Sequence, residues 1–232
     1  MLSPYATPGN LAGDGKYKVM AADTDARWVP IAVSADILNG TVVPAQMPKG
    51  PIAVWRAASG HLYANGDRCP HRGMRLSHGF VRGETLSCIY HGWRFGTDGV
   101  CQKIPAHPAV EPPKTINCGP VSVTEVNGVV WGAAASPVDP PVQFAGYNAL
   151  RSLLISASVE AISSACHGET VEGVITAQLG GQGTILLTNV HGPDEALVIA
   201  LLPTATSAQD RVKVSTALEA LRRTAEGIGD AA

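Results

Sequence analysis

Cysteine and histidine occur together twice near the middle of the chain. Cys69-Pro70-His71-Arg72-Gly73 offers one thiolate and one imidazole. Cys88-Ile89-Tyr90-His91-Gly92-Trp93 offers the same pair, with sixteen residues between His71 and Cys88. Two anionic sulfurs and two neutral nitrogens on paired loops suit a binuclear [2Fe-2S] centre, in which two Cys hold one iron and two His the other. Exchanging two thiolates for imidazoles removes negative charge from such a centre, so reduction costs less and the potential rises. Zinc takes the same donor types, commonly with C-x2-C and H-x3-5-H spacing. Each loop here mixes one Cys with one His, as C-x-H and C-x2-H, which favours the binuclear centre over zinc.

The flanks agree. Residues 69–105 read CPHRGMRLSHGFVRGETLSCIYHGWRFGTDGVCQKIP. This stretch resembles the N-terminal domain of Rieske non-haem iron oxygenases, the ring-hydroxylating and vanillate-demethylase-like enzymes. It matches CPHRG…LS-x-G…C-x-YHGW-x-F…DG-x-C…IP, and the likeness runs more loosely from Trp28-Val29-Pro30 to Trp131. The ligands expected on this reading are Cys69 and Cys88 on one iron, His71 and His91 on the other. Gly73 and Gly92 would allow close backbone approach or serve as turn glycines. Arg72 would stabilise the reduced cluster, anchor a neighbour or stay solvated. Trp93 would shield the cluster side of the core. Respiratory-type Rieske proteins, by resemblance, carry a disulfide between the ligand loops; the corresponding places hold Met74 and Tyr90. With few loop hydroxyls (Ser77, Ser87, Tyr90), the expected potential lies at the low end of the Rieske span of about −150 to +300 mV.

The resemblance also implies a second domain holding a mononuclear iron in a two-His-one-carboxylate triad. Beyond residue 141 the chain has two histidines, His167 and His191, outside the D/N-x2-H-x4-5-H pattern. Glu160, Glu169 or Asp194 would supply a carboxylate to a rearranged triad, but both histidines precede glycines at expected turns. Mononuclear Fe(II) is therefore not expected, and the segment from Val142 is short beside the family's catalytic domain. The leading expectation is a Rieske [2Fe-2S] component that passes one electron from a reductase or ferredoxin to an oxygen-activating iron in a partner chain. A compact oxygenase with its own atypical iron site and a non-enzymatic redox or assembly module are the alternatives. An oxygenase partner subunit or a homo-oligomer is the further partner implied.

Four parts of the chain must position these loops. Residues 1–27 read as an N-terminal arm, 28–136 as the Rieske domain, 137–141 (PVDPP) as a linker, and 142–232 as a short α+β domain resembling a reduced helix-grip fold. The expected class is mainly β, with an antiparallel sandwich carrying the cluster loops at one tip. Short apolar runs such as Ile52–Trp55 and Val129–Trp131 alternate with turns at Ser59-Gly60, Thr97-Asp98-Gly99 and Asn127-Gly128. Asn-Gly and Asp-Gly between apolar runs are hairpin signals. Residues 105–113 (PAHPAVEPP) read as a rigid connector able to cover the cluster. In the second half, strands are expected over Val171–Leu179, Thr184–Val190 and Ala196–Leu202, the first two joined by a glycine hairpin. Residues 150–165 fit strand and helix equally. Val214, Leu218, Leu221, Ala225 and Ile228 mark a C-terminal amphipathic helix, with Thr216 and Glu219 as a capping-box signal.

Composition narrows the partners. Of 232 residues, 45% are hydrophobic and 16% charged, with a net charge of −2; this is enough to build a core and carries no signature of disorder. Nothing in the balance points to nucleic acid or a membrane. The first residues lack a signal-peptide pattern. Cys101, Cys118 and Cys166 are left over as free thiols. Together these favour a cytoplasmic protein.

Overall fold

The computed structural model describes residues 5–6, 27–135, 137 and 139–229; of residues 5, 6, 228 and 229 only the backbone is described. Most of the expected arm, parts of the expected linker and residues 230–232 lie outside the described residues. The chain runs β1 (Tyr5–Ala6), β2 (Val29–Val33), β3 (Val42–Met47), β4 (Gly50–Arg56) and β5 (Leu62–Gly66). Four short strands follow: β6 (Phe80–Arg82), β7 (Thr85–Ser87), β8 (Arg94–Phe95) and β9 (Cys101–Lys103). β10 (Pro120–Val126) and β11 (Val129–Ala133) form a hairpin, and β12 (Gln143–Phe144) pairs in parallel with β1. Then come β13 (Tyr147–Ile155), α1 (Val159–Ala165), β14 (Glu169–Val171), β15 (Val174–Leu179), β16 (Gln182–Gly192), β17 (Glu195–Pro203) and α2 (Ala208–Gly229).

Among the described residues three larger sheets form, each antiparallel. One has the order β2-β11-β10-β5-β4-β3, the second β6-β7-β8-β9, the third β13-β17-β16-β15-β14. The architecture is mainly β, as the sequence implies. β4 shows why the first sheet sits in the middle. Ala53 and Trp55 on one face pack with Leu76, Leu86, Phe95 and the buried Cys69 and Cys88. Ile52 and Val54 on the other pack with Ile31, Ile37, Met47 and Val130. A strand buried on both faces reads as a continuous apolar run because each side of the pleat meets a core.

The first and third sheets share a core. Val33, Val129 and Trp131 pack with Phe144, Ile185, Leu187, Ile199 and Leu201. Asn127, at the tip of the β10–β11 hairpin, fastens the two. Its Nδ2 donates to the carbonyls of Phe144 (2.8 Å) and Tyr147 (2.7 Å), and its Oδ1 accepts from the Phe144 N–H (2.9 Å). Its φ is 56° and that of Gly128 is 71°, so both take the left-handed region that a two-residue hairpin requires.

The other face of the third sheet lies against the helices. Val214, Leu218, Leu221 and Ala225 are buried among Ile175, Leu186, Val198, Ala200 and Leu202. This is the stripe the sequence marks; the side chain of Ile228 lies outside the described residues.

Three local expectations are refined. The helix begins at Ala208, well before Thr216, and Ser207 caps it. Ser207 Oγ accepts from the Asp210 N–H (3.1 Å) and donates to Asp210 Oδ2 (2.8 Å), which satisfies one of the free N–H groups of the first turn. Thr216 sits mid-helix and its hydroxyl donates back to the Val212 carbonyl. The strand expected over Val171–Leu179 is split into β14 and β15, because Glu172 (φ 50°) and Gly173 (φ 81°) make a two-residue turn between Val171 and Val174. The ambiguous stretch from residue 150 divides into both types: β13 ends at Ile155, and Ser158 caps α1 by accepting from the Ala161 N–H. Among the described residues no helix is long and apolar enough to cross a membrane.

Candidate iron–sulfur site

The first candidate loop leaves β5 and the second joins β7 to β8. Both use one backbone design. In the first, the Cys69 N–H donates to the Met74 carbonyl (2.9 Å) and the Gly73 N–H to the Cys69 carbonyl (2.8 Å). In the second, the Cys88 N–H donates to the Trp93 carbonyl (2.9 Å) and the Gly92 N–H to the Cys88 carbonyl (3.0 Å). The glycines close the two turns at φ +71° and +70°, a conformation that an L side chain would strain. The cysteines therefore occupy equivalent places, while the histidines differ by one residue, at the second position after Cys69 and the third after Cys88. The C-x-H and C-x2-H spacings are thus variations on one loop.

Two supports hold the loops. Below the first, buried Asp67 accepts from the Ser77 N–H (2.6 Å) and from Ser77 Oγ (2.7 Å), tying the two ends of the loop together. This also removes Ser77 from the hydroxyls free to face the cluster. Beside the second, Pro105 approaches so closely that a Cβ on Gly92 would stand 3.1 Å from its ring. The proline connector thus begins against this loop. Asp67 went unrecognised in the sequence; the signal, an acidic residue two before Cys69 with Ser77 ten residues on, emerges only once the loop is closed.

The donor atoms fit a [2Fe-2S] group. Cys69 and Cys88 are buried, at 3% and 2% exposure, and lie side by side. Burial pushes the Cys69 thiol up to about 11; the His71 backbone N–H pulls it down and the neighbouring Cys88 raises it again. Two thiols pressed together in a core give up their protons when a cation sits between them. The His71 and His91 rings meet edge to face, 4.6 Å between centroids. Burial, His91 and Arg72 all hold the His71 imidazole below its ordinary pKa, in the neutral form that a metal requires. Its Nδ1 is enclosed and has no hydrogen-bond partner. An enclosed ring nitrogen without a partner is unfavourable, and coordination would supply the partner.

Aromatic rings frame the imidazoles. Trp93 stacks on His71, and Tyr90 tilts against His91 at 3.8 Å. His91, Tyr90 and Arg72 are exposed while His71 is half-buried. The remaining cysteines are free thiols. Cys118 donates to the Gly99 carbonyl (3.2 Å), and burial pushes it up to about 12, so it stays protonated. Cys166 is half-buried and donates to the Ile162 carbonyl.

The other candidate metal residues are scattered through the third sheet's layer. His167 is exposed at φ 50° past the end of α1. His191, at the end of β16, has Glu195 at 3.7 Å; burial lowers its pKa and Glu195 partly restores it. Glu160 and Glu195 border a cavity of about 170 Å³ at the β16–β17 turn. Glu169 is exposed on β14 and Asp194 on that same turn. Among the described residues, no three His, Cys, Asp or Glu side chains group as ligands for one metal ion.

Comparison with known proteins identifies the domain that carries these loops. Residues 27–118 match the family model of the Rieske [2Fe-2S] domain. Oxidoreductase NdmD of Pseudomonas putida is 34% identical over 148 residues, which is 60% of this chain and 25% of that protein. The 3-chlorobenzoate-3,4-dioxygenase oxygenase subunit of Comamonas testosteroni is 33% identical over 106 residues, 45% of this chain and 24% of that protein. The chain thus spans about a quarter of the length of these curated relatives. Across the fold, the crystal structure of apo dicamba monooxygenase aligns with 91% of this chain and 87% of its own at a TM-score of 0.71 and 16% identity. Residues 27–118 are a Rieske [2Fe-2S] domain, and the chain as a whole has the fold of dicamba monooxygenase.

Proposed function

We propose that this chain is the electron-carrying component of an oxygenase system. Cys69 and Cys88 would hold one iron, His71 and His91 the other. The bound cluster supplies one-electron chemistry. A reductase or ferredoxin is the proposed donor, and an oxygen-activating iron in a partner chain or another copy is the proposed acceptor. The observation that carries this reading is the pair of matched loops. They bury two thiols and bring two imidazoles together, one of them exposed. An exposed ligand imidazole keeps the path between cluster and partner short, and its second nitrogen is available to hydrogen-bond a partner. The tight packing of α2 on the third sheet favours a carrier over a self-contained oxygenase, because the space between sheet and helix is filled by Val214, Leu218, Leu221 and Ala225.

Anaerobic iron and sulfide quantification, with EPR of the dithionite-reduced protein, tests the proposal. The expected result is two irons and two sulfides per chain with a Rieske-type signal. Cys88→Ala should abolish the visible chromophore and His167→Ala should leave it unchanged. A third, mononuclear ferrous iron would support the compact oxygenase instead. Zinc without acid-labile sulfide, or loss of colour in His167→Ala, would overturn the ligand assignment.

A further inference from the structure

Charge is segregated in this chain. Residues 68–97 contain five arginines and one glutamate, a charge of +4, while the rest of the chain carries −6. Several cations elsewhere are paired: Arg56 with Glu125, Arg151 with Glu219, Arg222 with Glu226, Lys213 with Asp210. At the cluster end they are not. Among the described residues, Arg68, Arg72, Arg75, Arg94 and Lys103 form no ion pair. The single acid of the segment, Glu84, is taken up by Ser59, accepting from its N–H (3.0 Å) and its Oγ (2.9 Å).

The register adds a second observation. Arg94 on β8 stands directly opposite Lys103 on β9. Like charges at facing positions destabilise a sheet. Arg94 is half-buried and Lys103 exposed. Ile89 and Tyr90 stand 57% and 56% exposed beside His91 on the loop that ends at Arg94, and Arg75 follows Met74, whose carbonyl closes the other loop. An apolar and aromatic centre with a charged rim is the anatomy of a protein interface: the centre supplies affinity, the rim steers and selects.

We infer that this end of the molecule docks a protein with a carboxylate-rich surface, and that Arg75, Arg94 and Lys103 select it while Ile89 and Tyr90 anchor it. The inference rests on the carrier reading and gives its donor a surface chemistry. Unpaired cations tolerated at a structural cost are explained by anions brought by the partner.

Calorimetric titration of the cluster-loaded protein with an oxidised, acidic plant-type ferredoxin tests this with no electron in motion. Binding should weaken at least about ten-fold between low and high ionic strength, as screening predicts. The double variant Arg75→Glu/Lys103→Glu should weaken low-salt binding about ten-fold with an unchanged visible spectrum, and Tyr90→Ala should weaken it at both salt levels. Arg223→Glu, on the exposed side of α2, should leave it unchanged. Salt-independent binding by the parent protein would overturn the inference, whether or not the variants fold. So would equal affinity of the double variant, or tight binding of duplex DNA without binding of the ferredoxin. A parent protein that lacks the cluster would instead sink the carrier reading; a loaded cluster with no charge dependence sinks the docking surface alone.

Discussion

The imidazole of His71 lies flat on the indole of Trp93, with centroids 4.4 Å apart and planes 5° from parallel. The two residues come from different loops, so the stack joins the loops and fixes one proposed ligand ring in position. An aromatic stack adds to the gain from burial alone, and its loss in Trp93→Ala should speed loss of the cluster to an iron chelator about five-fold. The decay of visible absorption reads the rate. Trp93→Phe, which keeps a ring, should stay near the parent rate. Equal decay of all three would show that the stack does not hold the ligand.

Gly92 and Gly73 share a backbone conformation but not surroundings. Alanine at either position would strain the left-handed turn by about 1–2 kcal/mol. At Gly92 the new methyl group also meets Pro105 at 3.1 Å, whereas at Gly73 it meets the flexible Arg68 side chain at 3.4 Å. Urea denaturation should rank Gly92→Ala as the less stable of the two. The opposite ranking would mean that Pro105 yields without cost.

Asp67 bears on both stability and cluster loading. Asp67→Ala leaves the Ser77 N–H and hydroxyl in a buried place without their acceptor, a loss of about 1–3 kcal/mol. The loop carrying Cys69 and His71 should loosen with it. The measurement is iron content per chain after reconstitution, expected to fall in Asp67→Ala and to recover in part in Asp67→Asn. Full loading in the alanine variant would confine Asp67 to a role outside the site.

Glu125 gives the protein a defined acid response. Arg56 donates to both of its oxygens, at 3.1 and 2.7 Å, and Ser34 also donates to it. The Arg56 bonds hold the Glu125 carboxyl below its ordinary pKa, against the opposing effect of burial. The unfolded chain therefore binds more protons here than the folded one as the pH drops through the carboxylate range. The stabilisation is complete above the unfolded value of about 4.3 and is lost as pH falls through the lower folded value. Urea midpoints measured from pH 7 to pH 3 should fall less steeply for Glu125→Gln than for the parent. Parallel curves would show that the pair makes no net contribution.

The local pattern of the sequence determined the mainly β class, the Cys-His pairs, the hairpins at Asn127-Gly128 and Gly180-Gly181, and the apolar stripe of α2. Each is set by residue type at short range: two donors on one loop, residues able to take positive φ at a turn, apolar side chains at three- and four-residue steps. Tertiary structure decided what these pieces meet. The common hydrogen-bond design of two loops with different spacings, the Asp67–Ser77 tie and the His71–Trp93 stack all join residues brought close only by folding. The same holds for Asn127, whose hairpin signal gives no hint that its amide fastens one sheet to the next. The helix start was misread for a related reason. Thr216-x2-Glu219 and Ser207-x2-Asp210 are both capping patterns. The choice between them falls to Val214, which lies ahead of Thr216 and is buried against the third sheet, so the helix must already be formed there. Local chemistry names the groups able to act, but burial and long-range contact decide which of them do, because the free energy of either choice lies in neighbours distant along the chain.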